Sequence, residues 1–524
     1  MLSKKNSFFI FLLIISCMMS SAQSKSEKKQ AKKHLKEAQV FFYNEDYLNA
    51  LQAYKKVLAV DKNNQTAGVN GAICIFKLGY PVDSALPLAS NLAVSREVDA
   101  KYFLAKIRHQ QHAFDQALAL LNEYNKADPS KRFIGIPETE YFIAVCENAK
   151  KQYANPRRSV IKNMGDEINS SLSDYVPVIM PDESAMFFTS RRMGSSGNKK
   201  DAYGAYYEDI YVSYKYKDKW QRAQNIGDPL NTETNDACVA ISPDGQRMIL
   251  YRTAPDQVTG DLYISKLGVA NKWSTPEKIG NEINSQYVET SACFSNDTSE
   301  IYFSSNRPGG YGGKDIYRIK KAPDGHWAMP YNLGPNINTP YDDDAPYLHP
   351  DGVTLYFSSQ GHNTMGEFDV FKSVLNLEDN QFSLAENLGY PINDVSNDIF
   401  FVLSVDGQRG YYSSQKTETF GGLDIYEIDT RFGDNDLKIK HGTATIGNSP
   451  ARVKITLTDK ENNQLNGNYY SNPGTGRFIL VMNPLKSYEI LVEMDGQDPI
   501  KMDLLPLASE KVNNELEFKF EKNN

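Results

Sequence analysis

Two spacings of apolar residues divide this chain. From about Ser26 to Lys150 they recur at helical intervals with few prolines, as in Ala38-x-x-Phe41 and Ala50-x-x-x-Tyr54-x-x-Val57, which predicts a run of helices. From about Asn155 the pattern changes to short apolar or alternating runs separated by Gly, Asn and Asp, such as Ile301-Tyr302-Phe303-Ser304-Ser305 and Leu355-Tyr356-Phe357-Ser358-Ser359. Those runs predict strands joined by tight turns. After His441 the alternation is cleanest, over 451–457, 477–481 and 488–492. The expectation is a multidomain chain, α first and then β.

The helical third repeats. Ala85 and Ala117 follow Ala50 at steps of 35 and 32 residues, and Leu78-Gly79-Tyr80 and Gln111-His112-Ala113-Phe114-Asp115 fill the turn that Tyr43-Asn44-Glu45-Asp46-Tyr47 fills first. Alanine at a crossing lets two helices approach closely while the partner's aromatic fills the remaining space. Residues 26–150 resemble a tetratricopeptide array of three repeats with a capping helix over 138–150, although the usual tryptophan is missing. That resemblance implies a protein-binding groove. His109-x-x-His112 lies on one helical face without a third ligand, so both are expected to be ordinary surface histidines.

Between residues 155 and 440 a unit of about 54 residues recurs five times, each ending a strand with Asp, an aliphatic residue and an aromatic. These are Asp209-Ile210-Tyr211, Asp261-Leu262-Tyr263, Asp315-Ile316-Tyr317, Asp369-Val370-Phe371 and Asp424-Ile425-Tyr426. Trp220, Trp273 and Trp327 fall 11 or 12 residues past their Asp, with Phe382 taking the place in the fourth unit. An aromatic recurring in register is packing between repeats, and the recurrent aspartates read as turn and loop ties. Four short strands per unit make one blade of a β-propeller, predicting five blades, with six as the alternative. The connector Asn332-Leu333-Gly334-Pro335-Asn336-Ile337-Asn338 has a counterpart, 163–169, ahead of the first blade, so the strand before it is expected to complete the last blade and close the ring. Ser-Pro-Asp-Gly, Leu-Tyr-Phe-Ser-Ser and Gly-Gly-x-Gly-Gly-x-Asp-Ile-Tyr resemble the WD40-like repeat of TolB-like periplasmic propellers. From 441 to 524 a small β-sandwich is expected, and Ser471-Asn472-Pro473-Gly474-Thr475-Gly476-Arg477-Phe478 resembles carboxypeptidase regulatory-like domains.

The first 22 residues read as an export signal: Lys4 and Lys5, an apolar run from Phe8 to Ile15, then Ser20-Ser21-Ala22 before Gln23. Ile14-Ile15-Ser16-Cys17 also resembles a lipobox, so cleavage after Ala22 and acylation at Cys17 both stand open. Export to the periplasm follows, with outer-membrane association by a lipid anchor in the second case. Cys74, Cys146, Cys238 and Cys293 form no CxxC pair and are expected as buried apolar side chains. A formal charge of −8, with no long basic tract in the body of the chain, excludes an electrostatic grip on nucleic acid.

Departures from the repeat locate candidate chemistry. Blade one carries a longer loop with Arg191, Arg192, Lys199, Lys200 and Tyr203, a basic and aromatic insertion read as a candidate partner-binding loop. Asp342-Asp343-Asp344 could bind Ca²⁺ but occupies the acidic connector position of every blade, so it is assigned to the loop. No Gly-x-Ser-x-Gly, His-Glu-x-x-His, P-loop or dinucleotide fingerprint is present. The expectation is therefore no enzyme, with no catalytic residue, cofactor or metal.

The order of helical repeats, propeller and regulatory-like sandwich resembles the periplasmic OmpA-family component associated with type IX secretion in Bacteroidetes. The resemblance implies a noncatalytic cell-envelope scaffold that binds envelope proteins through the helical repeats and propeller loops. That family ends in an OmpA-like domain and this chain ends at Asn524, so peptidoglycan binding is not expected. The alternative is a ligand- or glycan-binding exported propeller, with hydrolase activity open, using its central channel.

Overall fold

The computed structural model describes residues 27–521 except 79, 81, 133, 202–203, 257–258, 270–271, 417–418, 430–436 and 507–514. The segment read as an export signal, with Cys17, and Tyr203 of the insertion lie outside the described residues. The chain divides into two compact units, Met1–Lys151 and Gln152–Asn524.

The first unit is helical: residues 27–43, then Tyr47–Val60, Gln65–Lys77, Ala89–Val94, Asp99–Gln110 and Phe114–Asn125, followed by Ile136–Tyr153 at its end. Asp46 and Asn64 cap the second and third helices by accepting the amides of Asn49 and Ala67, as short polar side chains do at helix starts. Ala50, Ala85 and Ala117 are fully buried, as are Tyr54 and Tyr124, so the small and large positions are core. Where the repeat predicts one regular helix around Ala85, the chain forms a 3₁₀ turn, Val82–Leu88, and then the short helix Ala89–Val94. Pro87 has no amide to donate within that turn, which breaks the α ladder. Gly68 sits where a Cβ would lie 2.4 Å from Cβ of Asn91, whose side-chain amide donates to the Lys62 carbonyl at 2.7 Å.

The second unit opens with a ring of five sheets, each running from an inner to an outer strand. The inner strands are Asp174–Ile179, Asp236–Ile241, Ala292–Phe294, Asp343–Leu348 and Ile399–Leu403. Consecutive inner strands are neighbours, and the fifth lies beside the first, so the arrangement is a closed β-propeller. The fifth sheet takes its outer strand from the start of the unit: Val160–Asn163 pairs antiparallel with Asp424–Asp429, Val160 opposite Asp429 and Asn163 opposite Tyr426. The in-register aromatics fill the seams between sheets. Trp273 meets Phe187 edge-on at 6.0 Å, Trp220 meets Tyr411 at 6.2 Å, and Phe382 meets Tyr302 at 6.3 Å.

The recurrent aspartates are ties. Asp424 accepts from Phe420 N and from Asn163 Nδ2 at 2.7 Å, and Asn163 Oδ1 in turn accepts from Gly165 N and Asn169 Nδ2. Asp209 with Asn225, Asp315 with Asn332 and Asp369 with Asn387 repeat the arrangement. The glycine-rich loop before Asp315 packs on the next connector, since a Cβ on Gly312 would stand 2.3 Å from the carbonyls of Thr339 and Tyr341. Asn163→Ala removes three side-chain hydrogen bonds from the closing strand and should cost about 2 kcal/mol. A denaturant midpoint equal to that of the parent chain would show that this strand does not hold the ring shut.

After the ring, two four-stranded sheets face each other. Lys438–Ile446 pairs with Arg477–Met482 and, in parallel, with Leu516–Phe520; Lys454–Asp459 lies between Leu465–Tyr470 and Tyr488–Glu493. Ile455, Leu457, Leu480, Ile490 and Phe518 form their shared core.

Candidate functional site

The inner strands surround a central cavity of about 300 Å³. Its wall is mostly apolar, with Val176, Val178, Val239, Phe294, Pro346 and Phe400 contributed by successive strands. The wall follows from a shared irregularity: pairing slips between Tyr175 and Val178, Cys238 and Ala240, Asp344 and Tyr347, and Ile399 and Val402. Three bulge residues, Val176, Ala345 and Phe400, take left-handed φ of 53°, 52° and 61°. For a β-branched valine this conformation costs on the order of 1–3 kcal/mol, so the surroundings must hold it. They do so through polar neighbours: Val176 N donates to Ser413 Oγ at 3.1 Å, Cys238 N to Thr189 Oγ1 at 3.0 Å and Ala345 N to Ser291 Oγ at 3.1 Å.

A polar group meets this wall where the insertion of the first sheet ends. Glu208 lines the cavity and accepts the Tyr175 hydroxyl at 2.6 Å, while the Tyr175 ring stacks on Phe400 at 6.3 Å. Burial, then the Glu208 carboxylate, pushes the Tyr175 phenol well up, and the same two causes in the same order raise Tyr251. Tyr175 is therefore a hydrogen-bond donor at neutral pH. Glu208 is the carboxylate among the described lining residues.

Around the ring, an acid near the start of four of the five inner strands meets a cation from the end of the next strand. Asp174 pairs with Arg192 at 2.5 Å, Asp236 with Arg252 at 2.5 Å, Glu289 with Arg307 at 3.3 Å and Asp398 with Lys416 at 3.4 Å. Each cation also reaches a carbonyl of the preceding connector, Ile168, Leu230, Ile283 and Ile392 respectively. The fourth sheet departs from this: His362 takes the cation's place, its Nε2 donating to the Ile337 carbonyl at 2.9 Å, and burial lowers its pKa. Asp343 then has no cation among the described residues, and burial pushes its carboxyl up to about 7. Sequence reasoning missed this device, although Ser-x-Arg and Ser-x-Lys after three of the second strands carry it.

The insertion's bases are each engaged separately. Arg192 belongs to the ring, with its guanidinium 4.6 Å from the Tyr211 ring as well as on Asp174. Arg191 is held by Asp201 at 2.7 Å and the Tyr206 carbonyl at 2.9 Å. Lys199 pairs with Glu233 at 2.9 Å on the surface, and Lys200 lies 4.4 Å from the Tyr206 ring. Arg191 and Arg192 of the candidate partner-binding loop thus have partners within the ring, while Lys199 and Lys200 lie on exposed parts of the loop. The acidic triplet likewise divides: Asp342 accepts from Lys314 N, Asp343 from Thr339 N and Asp344 from Lys314 Nζ. His109 is a correction as well, being buried against Phe114 and Phe142 instead of at the surface. Among the described residues no group of three His, Cys, Asp or Glu is placed to hold a metal ion, and no helix is long and apolar enough to cross a membrane. The four cysteines among the described residues are buried and unbridged, and burial raises the thiols of Cys74, Cys146 and Cys293 to about 12, which leaves them unreactive.

No protein-family model and no curated protein matches the chain. Among solved structures it is similar to a thermostable family-43 glycoside hydrolase, at 13% identity over 51% of this chain and 93% of that one, TM-score 0.34. It is similar also to an alpha-L-arabinofuranosidase from Lactobacillus brevis, at 13% identity over 52% and 96%, TM-score 0.33. Bacillus subtilis levansucrase is a third, at 10% identity over 52% and 87%, TM-score 0.36. These likenesses concern the propeller fold. The expectation of no enzyme is corrected to an open one: the solved structures that the chain is similar to include a glycoside hydrolase and an alpha-L-arabinofuranosidase.

Proposed function

We propose that this chain is an exported ligand-binding protein built on a five-bladed propeller, with the central channel as its site. The cavity of about 300 Å³ with an apolar wall and one Tyr175–Glu208 pair carries this reading. Such a site suits a molecule with an apolar body and a hydroxyl or amine at one end. The apolar part takes the place of water against Val239 and Phe400, and the polar end shares the Glu208 carboxylate with Tyr175. The helical unit is proposed as a tetratricopeptide-like docking module for an envelope protein, supported by its recurring Ala and Tyr core.

Binding of an apolar fluorophore such as 1-aminoanthracene tests the channel. One molecule per chain should bind, and Val239→Phe, which fills the cavity, should weaken it at least about tenfold. Binding that is unchanged in that variant would overturn the reading.

Hydrolysis of a glycan in the channel is the second reading, favoured by the Glu208 carboxylate beside an aromatic pair. A two-carboxylate mechanism needs a partner about 5–9.5 Å away, and Glu208 is the carboxylate that the described lining residues supply. Turnover of nitrophenyl glycosides that Glu208→Gln abolishes would establish it.

A further inference from the structure

A second cavity, of about 430 Å³, lies where the first two sheets of the ring face the C-terminal sandwich. Its size is that of a ligand site. Asp244 and Gln246, from the Pro-Asp-Gly turn of the second sheet, line it and are 3% and 7% exposed. Asp244 Oδ1 accepts from the Ser242 hydroxyl and from Gln246 N, yet Asp244 Oδ2 and Gln246 Oε1 have no hydrogen-bond partner among the described residues. At the same turn in the fourth sheet both oxygens of Asp351 are used, by Val353 N and the Thr354 hydroxyl. Two buried acceptors without donors cost on the order of 1–3 kcal/mol each, a cost that a donor-bearing ligand would relieve.

The rest of the lining shows what kind of donor fits. Trp273 and Tyr214 supply partly exposed aromatic rings from the propeller side. Across the cavity stand His441 and Arg477; Arg477 is exposed, has no ion-pair partner among the described residues and belongs to the Asn-Pro-Gly-Thr-Gly-Arg-Phe motif that the channel leaves unexplained. An anion would meet the Asp244 carboxylate, and a wholly apolar molecule would leave both acceptors unsatisfied. A pyranose presents hydroxyl donors at its edge and an apolar C–H face for an aromatic ring.

We propose that this cleft binds a small saccharide of one or two rings, with Asp244 and Gln246 accepting from its hydroxyls, Trp273 or Tyr214 under its face and Arg477 donating from the sandwich. The site is separate from the channel and does not rest on it. Calorimetric titration of the full chain with cellobiose, maltose, xylobiose and chitobiose tests it, with fluorescence of the three tryptophans as a second readout. At least one disaccharide should bind with a dissociation constant of about 1 mM or tighter. Gln246→Leu and the exposed Arg477→Ser should each weaken binding about tenfold or more, whereas Val239→Phe in the channel should leave it unchanged. Gln246→Leu should also raise the melting temperature of the ligand-free chain, because it deletes an unsatisfied acceptor. No heat and no fluorescence change with any of the four at about 10 mM would overturn the proposal. Binding lost in Val239→Phe but kept in Gln246→Leu would overturn it too, by placing the sugar in the channel.

Discussion

Lys416→Met should lower the melting temperature of the ring by about 10 °C at pH 8, and by clearly less at pH 5. Lys416 Nζ lies 2.7 Å from Asp394 and 3.4 Å from Asp398, and its ammonium stands 5.5 Å from the Tyr412 ring. Asp398 is fully buried. Removing one partner of a buried ion pair costs about 3–5 kcal/mol, because the remaining charge is left without compensation, and each kcal/mol shifts the melting point of a domain of this size by about 2–4 °C. The pH dependence follows from Asp398, whose carboxyl burial and the neighbouring Asp394 already push up to about 7 against the pull of Lys416. Without Lys416 the folded carboxyl holds its proton still more strongly. Protonation at pH 5 then removes most of the uncompensated charge, so the loss is smaller there. Equal losses at both pH values would show that the ammonium contributes packing alone.

Asp343→Asn should act with the opposite sign. Its carboxyl titrates at about 7 in the folded ring, against about 3.9 in an unfolded chain, so the folded state binds the extra proton between those values. Stability from this group is therefore full below about pH 4, declines as pH rises to about 7, and stays lost above. An asparagine resembles the protonated form and does not titrate. The variant should match the parent at pH 4 and exceed it at pH 8 by an amount on the order of 4 kcal/mol, the free energy of three pKa units. Chemical denaturation at both pH values checks this. A variant less stable than the parent at pH 8 would mean that Thr339, which donates to Asp343 through N and Oγ1, needs the charge.

These two sites mark how far the sequence could be read. Asp-Ile-Tyr and its relatives, together with the connector at 163–169, made both the propeller and its closing strand legible, because a repeat writes the same contact several times. Trp220, Trp273 and Phe382 were readable as seam residues for the same reason. Arg192 was read only as part of an insertion, whose length drew more notice than its offset of two from Ser190, which Arg307 and Lys416 share relative to Ser305 and Ser414. The Glu208–Tyr175 pair and the Asp244–Gln246 cleft had no such signal. Each joins residues from different strands or domains whose meeting depends on bulges and on packing of the sandwich, not on spacing along the chain.

The strand Val160–Asn163 is made before any other part of the ring, yet its partner Asp424–Asp429 is made last. During synthesis its unpaired edge has to wait for some 260 residues to emerge, with only the loop-closure entropy of a long chain working against the eventual pairing. Until that moment the nascent chain offers two complementary open ends, one at either side of four completed sheets. Two such chains at high local concentration can each close the other's ring, an exchange of identical strands that would yield an intertwined dimer. The order in which the chain is made thus sets a kinetic contest between closing on itself and closing on a sister molecule, and dilution favours the monomer.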